Sequence, residues 1–305
     1  MPASRPVSPL VVLLLAVIGI SFAAPLIRLS DAHPLAIAVW RLAFSLVLIA
    51  AFLVPSRGWR QWARLGATET ALALGAGVML ALHFWSWNTS LGLTTVAASV
   101  VLVNMQPVIV AALSAVWLRE APSRRQWAGI GIAIAGAIVV ASPALTGPRS
   151  LLGNRALLGD LLALVGAVTA ALYYLVGRRT RQTLDLWPYV ALVYGACLLT
   201  LLLIAAIARI PLAPQPPREL AIFAALALGP MMLGHTGMNW ALRYFPAYVV
   251  NLTTLGEPIG ATLLAALLPG IREIPTPVTL AGAVLVLGGI LVALPRRRDA
   301  PLGVD

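Results

Sequence analysis

Stretches of about twenty consecutive apolar residues, almost free of charge, recur from one end of the chain to the other. At roughly 1.5 Å of rise per residue, about twenty residues cross the ~30 Å hydrocarbon core of a bilayer as an α-helix. Such runs occupy residues 9–27, 34–54, 67–88, 94–118, 126–142, 156–177, 187–209, 218–243, 246–268 and 276–294. None has the strict alternation of a barrel strand, and a helix in lipid satisfies its own backbone. With 60% hydrophobic and only 10% charged residues in 305, too little polar surface exists for a water-facing exterior. The expected class is an all-α polytopic membrane protein with ten transmembrane helices. Disordered, collagenous and disulfide-stapled chains are excluded by the same numbers. The lone Cys197 sits inside an apolar run and reads as a buried free thiol. Arg5, the first run and Ser21-Phe22-Ala23 also imitate a secretory signal with its cleavage site. The repeat described below needs that helix in place.

The formal charge of +11 comes from 21 arginines and no lysine. Their position between apolar runs says more than their number, and no nucleic-acid partner is expected. With alternating spans, 14 arginines fall on the side of the N-terminus and 6 on the other, with Arg41 inside the second run. The positive-inside rule therefore places both termini in the cytoplasm, in agreement with an even number of spans.

The two halves resemble each other. Met105-Gln106-Pro107 corresponds to Gly256-Glu257-Pro258 at an offset of 151 residues. Arg119-Glu120-Ala121-Pro122-Ser123 corresponds to Arg272-Glu273-Ile274-Pro275-Thr276 at 153, as do Ala128-Gly129 and Gly136 to Ala281-Gly282 and Gly289. Asn88 matches Asn239, and Leu15-Ala16 with Gly19 matches Leu162-Ala163 with Gly166. Five spans is an odd number, so the second half enters the membrane from the opposite side. The expected organisation is a first repeat over 9–142, a linker over 143–155, a second, inverted repeat over 156–294 and a cytoplasmic tail over 295–305. Inverted repeats build secondary transporters, with a site near the midplane between the halves.

Two five-helix halves, a Pro-Val step in the fourth run, and Arg-Glu-x-Pro followed by Ala-Gly resemble the drug/metabolite transporter superfamily, and within it the EamA-type members. The likeness runs over roughly residues 10–294. It implies proton-coupled or exchange-type export of amino acids or other small metabolites across a bacterial inner membrane. Sequences of that kind also tend to carry an arginine where Arg41 stands.

The foremost candidate for chemistry is Glu257. An ionisable residue at the centre of a span costs about 2.5–3.5 kcal/mol on insertion scales, so one that is retained suggests a role. Pro258 interrupts the helix beside it, and Asn251, Thr254 and Glu257 share a broad face. The repeat counterpart is Gln106, next to Pro107 and near Asn104. His83 and Asn88 in the third run find counterparts in His235 and Asn239 in the eighth. These four either line a cavity or serve helix packing. Arg41 either snorkels outward or faces the bundle to hold a substrate carboxylate. Tyr173, with Tyr174 and Phe22, is a candidate aromatic wall. Gly129, Ala133, Gly136, Gly282 and Gly289 read as positions of close helix approach. The two Arg-Glu pairs read as local ion pairs or helix caps.

No cofactor is expected, and no cluster has the ligand set of a metal site. The expected partners are a small-molecule substrate and the lipid bilayer, with a homodimer left open. An intramembrane enzyme acting on a lipid or peptide is the competing class, but no nucleophile elbow, metalloprotease motif or phosphate-cradling loop occurs.

Overall fold

The computed structural model describes residues 8–94, 99, 102–145, 153–267 and 276–294, and these are helical, with no strand among them. In chain order the α-helical segments are α1 (Pro9–Ser21), α2 (Ala23–Arg28), α3 (Pro34–Leu53), α4 (Ala67–Ser90), α5 (Gln106–Leu113), α6 (Arg124–Leu145), α7 (Gly153–Thr180), α8 (Leu186–Ile207), α9 (Pro217–Leu226), α10 (Gly237–Ala241), α11 (Ala247–Thr253), α12 (Glu257–Leu267) and α13 (Pro277–Ala293). Of the expected linker, residues 146–152 lie outside the described residues, while 143–145 and 153–155 are helical. The expected tail, 295–305, lies outside them altogether.

Helix starts follow local chemistry. Pro34 and Pro277 occupy first-turn positions, where the missing N–H costs nothing. His33 Nδ1 accepts from the Leu35 amide at 3.2 Å, and Thr276 Oγ1 accepts from Thr279 N at 3.2 Å. Ser123 and Gln126 form a reciprocal capping box at the start of α6, at 2.9 and 3.3 Å.

Four of the expected runs are interrupted. The first breaks at Phe22, between α1 and α2. The fourth has a turn at Asn104-Met105, so that Pro107 lies in the first turn of α5; its residues 95–98 and 100–101 lie outside the described ones. The ninth passes through a 3-10 turn, Thr254–Gly256, with Pro258 in the first turn of α12. In both, the break falls just before the proline, because proline fits a helix's opening turn and not its interior. The eighth widens into a π-helical stretch, Ala227–Thr236, around Pro230.

The exterior is apolar, and polar side chains are enclosed within an otherwise apolar core. Leu14, Val47, Leu199, Ile207 and Val284 stand outward, each at least 62% exposed. Arg41, Ser45, Asn239 and Asn251 lie inside at 1% or less. Six helical segments are long and apolar enough to cross a bilayer: Pro9–Ile27, Pro34–Leu53, Ala67–Ser90, Arg155–Thr180, Leu186–Ile207 and Pro217–Ala241. The chain is an integral, multi-pass membrane protein. Cys197 is buried and unbridged.

The segments interleave rather than forming two separate bundles. α4 packs against α7 and α8, while α1 packs against the wide stretch 227–236 and α3 against α8 and α9. α5 meets α7 and α11, α1 meets α12, and α6 lies along α13. The last crossing is built on glycine. A Cβ on Gly129 would stand 2.6 Å from the Gly289 carbonyl oxygen, and one on Gly136 2.6 Å from the Val286 amide. Bare backbones touching in this way replace the hydrophobic drive that is missing within lipid.

Candidate functional site

Where the broken helices meet, seven segments enclose a cavity with about 50 Å³ of space. A water needs roughly 10–15 Å³ by this measure, so a few waters or one small polar head fit in this conformation. Arg41 enters from α3, His83, Phe84 and Trp87 from α4, and Tyr173 and Tyr174 from α7. Pro230 and His235 come from the wide stretch, Asn104 and Gln106 from the start of α5, and Thr254 and Glu257 from the start of α12. Ile20 and Ala23, on either side of the first break, complete one wall.

Of the residues singled out in the sequence, the lining thus brings together Glu257, Gln106, Asn104, His83, His235, Arg41 and Tyr173. It does not include Asn88, Asn239 or Phe22. Asn88 Nδ2 donates to the Pro34 carbonyl at 3.5 Å. Asn239 stands behind the wall, where its Nδ2 donates to the Tyr173 hydroxyl and, at 2.8 Å, to the His235 carbonyl. Asn239 therefore supports two lining residues without facing the space itself.

The wall is aromatic. Phe84 meets His235 edge-on at 5.5 Å, His83 stacks on Trp87 at 6.0 Å, and Tyr173 meets Tyr174 at 5.0 Å. The guanidinium carbon of Arg41 lies 3.5 Å from the centre of the Phe84 ring. His83 Nδ1 is 2.9 Å from the Gly166 carbonyl oxygen, which ties α4 to α7. Gln106 Nε2 donates to Thr254 Oγ1 at 3.2 Å, joining the two broken helices across the cavity. Arg41 Nε and Nη2, Gln106 Oε1, Trp87 Nε1 and His235 Nδ1 have no hydrogen-bond partner among the described residues. Arg41 does not snorkel; it is 1% exposed. It forms no ion pair with Glu257 among the described residues.

Two polar clusters lie near opposite ends of α3. At its N-terminal end Glu219 accepts from Ser30 Oγ, and Arg218 pairs with Asp31 at 2.9 Å and donates to the Leu29 carbonyl at 2.6 Å. At its C-terminal end Arg243 pairs with Asp185 at 3.0 Å, and Gln61 Nε2 donates to Asp185 at 2.7 Å. The Gln61 hydrogen bond, and then Arg243, hold the Asp185 carboxyl below the usual carboxylate range. Glu120 pairs with Arg178 at 2.7 Å, so the local partner expected from its Arg-Glu dipeptide is replaced by one from α7. Arg119 adopts a left-handed conformation, with φ of 58°. The matching Arg272-Glu273 lies outside the described residues.

Leu80, Val103 and Pro230 also line the cavity, although nothing in the sequence singles them out.

Broken helices around a polar, aromatic-walled cavity in an apolar exterior define the architecture of a membrane transporter. The EamA-like transporter family matches residues 7–142 and again residues 157–294, and the chain belongs to that family. A protein of Archaeoglobus fulgidus described as an uncharacterized transporter is 26% identical over 286 residues, covering 92% of this chain and 95% of its own length. A solved crystal structure with 19% identity shares the fold, with a TM-score of 0.75 over 95% of this chain and 97% of that one.

Proposed function

We propose that the protein is a secondary active transporter that exports small amphipathic metabolites, amino acids or related compounds, from a bacterial cytoplasm by alternating access. The observation that carries this reading is the junction of Gln106 and Glu257. These repeat counterparts stand at the starts of two broken helices and line one cavity. In this reading the chain spans the inner membrane ten times, as two inverted five-helix repeats with both termini in the cytoplasm. The pattern of packing supports it. Exchanging the two halves turns the α4–α7 contact into that of α1 with 227–236, and α4–α8 into α3–α9. The same exchange turns α5–α7 into α1–α12 and leaves α3–α8, α5–α11 and α6–α13 unchanged. Two halves related in this way can rock about the cavity and expose it to each side in turn.

Glu257 then has a use for its charge. Water reaching the cavity from one side favours the carboxylate, and closure favours the neutral acid, so alternating access moves a proton with each cycle. The carboxylate could equally hold a substrate ammonium. Glu257→Gln preserves shape while removing titration. A resistance screen against toxic amino-acid analogues would first supply a transported compound. The Glu257→Gln protein should insert normally and lose export of that compound driven by a pH gradient in proteoliposomes. Export at the wild-type rate and with the wild-type pH profile would reduce Glu257 to a packing residue.

A further inference from the structure

Among the described residues, Arg41 is the one arginine in the cavity wall, and none of them satisfies one edge of its guanidinium. The side chain is 1% exposed and stacked on Phe84, yet among the described residues Nε and Nη2 have no acceptor. These two nitrogens lie on the same edge of the guanidinium plane. Their N–H bonds run parallel, the geometry that grips both oxygens of one carboxylate. The aromatic ring covers a face of the cation and cannot satisfy an in-plane donor. The helix does not help either, because the Arg41 carbonyl is taken by Ser45 Oγ at 2.6 Å, and the Arg41 side chain is itself part of the cavity lining. A buried cation without an acceptor is costly, and an anion supplied from outside removes that cost.

We infer that the Nε–Nη2 edge of Arg41 binds the carboxylate of a small monocarboxylic substrate, whose apolar body lies against Phe84, Trp87 and Tyr173. This rests on the cavity being the transport site, and it narrows the substrate class to carboxylates. Phe84 acts as a positioning residue, since its ring fixes the plane of the guanidinium.

The test uses the purified full chain in detergent, with no gradient, and isothermal calorimetry as the readout. The probes are L-phenylalanine and 3-phenylpropanoate, each paired with its primary amide, which keeps the shape and removes the charge. The acids should bind the wild type at least about tenfold more tightly than the amides, a difference of about 1.4 kcal/mol. Arg41→Gln should erase that preference, and Arg41→Lys, which keeps the charge without the fork, should retain only part of it. Circular dichroism reports whether each variant is folded, and the acid-to-amide ratio on the wild type stands without any variant. Equal binding of acid and amide, no binding of either acid at millimolar concentration, or a preference surviving in Arg41→Gln overturns the inference. So does displacement of the acids by equimolar chloride or inorganic phosphate, which would make the edge a general anion site. Arg41-dependent binding without flux in proteoliposomes would sink the export reading and spare this one. Export of a substrate without a carboxylate, undiminished by Arg41→Gln, would do the reverse.

Discussion

Thr254 accepts from Gln106 and itself donates to the Asn251 carbonyl at 2.7 Å, so one hydroxyl holds a helix break and a cross-cavity bond together. Gln106 Oε1 already lacks a partner among the described residues, so losing Thr254 would leave the amide without a bond to any of them. Leaving such a buried donor unpaired costs about 1–3 kcal/mol. Thr254→Val should therefore lower the thermal midpoint in detergent by several degrees, while Thr254→Ser, which keeps the hydroxyl, should stay near the wild type. Equal midpoints for the two variants would show that the bond adds nothing. At this scale the sequence was informative about chemistry and poor on direction. Glu257 and Gln106 stood out because each breaks an apolar run beside a proline, and both face the cavity. Asn88 and Asn239 stood out as polar counterparts in the two repeats, and neither is part of the cavity lining. Polarity marks a residue as unable to face lipid, but the neighbouring helix decides where it points instead.

Prolines set the element boundaries. Pro107 and Pro258 begin new helical segments, and the backbone breaks of the fourth and ninth runs could be anticipated from them. The widening at 227–236 could not, because a proline inside a run permits a kink, a break or a wider turn, and packing chooses among these. The α6–α13 crossing tests the packing argument directly. Gly129 abuts the backbone of α13, whereas nothing lies within 4 Å of a Cβ placed on Gly131, two residues further along the same helix. Gly129→Ala should destabilise by roughly 1–3 kcal/mol through overpacking. Gly131→Ala should be neutral or gain up to about 1 kcal/mol from helix propensity. Thermal unfolding in one detergent compares them, and equal effects would mean that α6 and α13 do not pack as closely as described.

For the whole molecule, orientation rests on arginine placement. A reporter that is active only in the cytoplasm, fused after Pro301, should give full activity in the proposed topology and background activity if the C-terminus lies outside. An outside C-terminus would remove both the orientation and the inverted relation of the halves. The two clusters at opposite ends of α3 join segments far apart in sequence, as Arg218 does with Asp31 and Arg243 with Asp185. Glu120 shows the limit of local reading, since its ion pair is made with Arg178 of a distant helix, while its sequence neighbour Arg119 has a left-handed backbone.

The sequence by itself determined the solvent and the segments. Long apolar runs with little charge can be stable only in lipid, and a helix in lipid closes its own hydrogen bonds, so both facts are written locally. It also carried the doubled motif that singled out Gln106 and Glu257. The tertiary structure alone decided which faces meet. It set Arg41 over Phe84 with one edge of its guanidinium bare, turned Asn239 to hold Tyr173 from behind, and laid Gly129 against Gly289. Such contacts depend on the rotation and crossing of helices that are remote in the chain, and within lipid no hydrophobic gradient fixes that rotation in advance. Close packing and the satisfaction of buried polar groups fix it, and both exist only once the helices have come together.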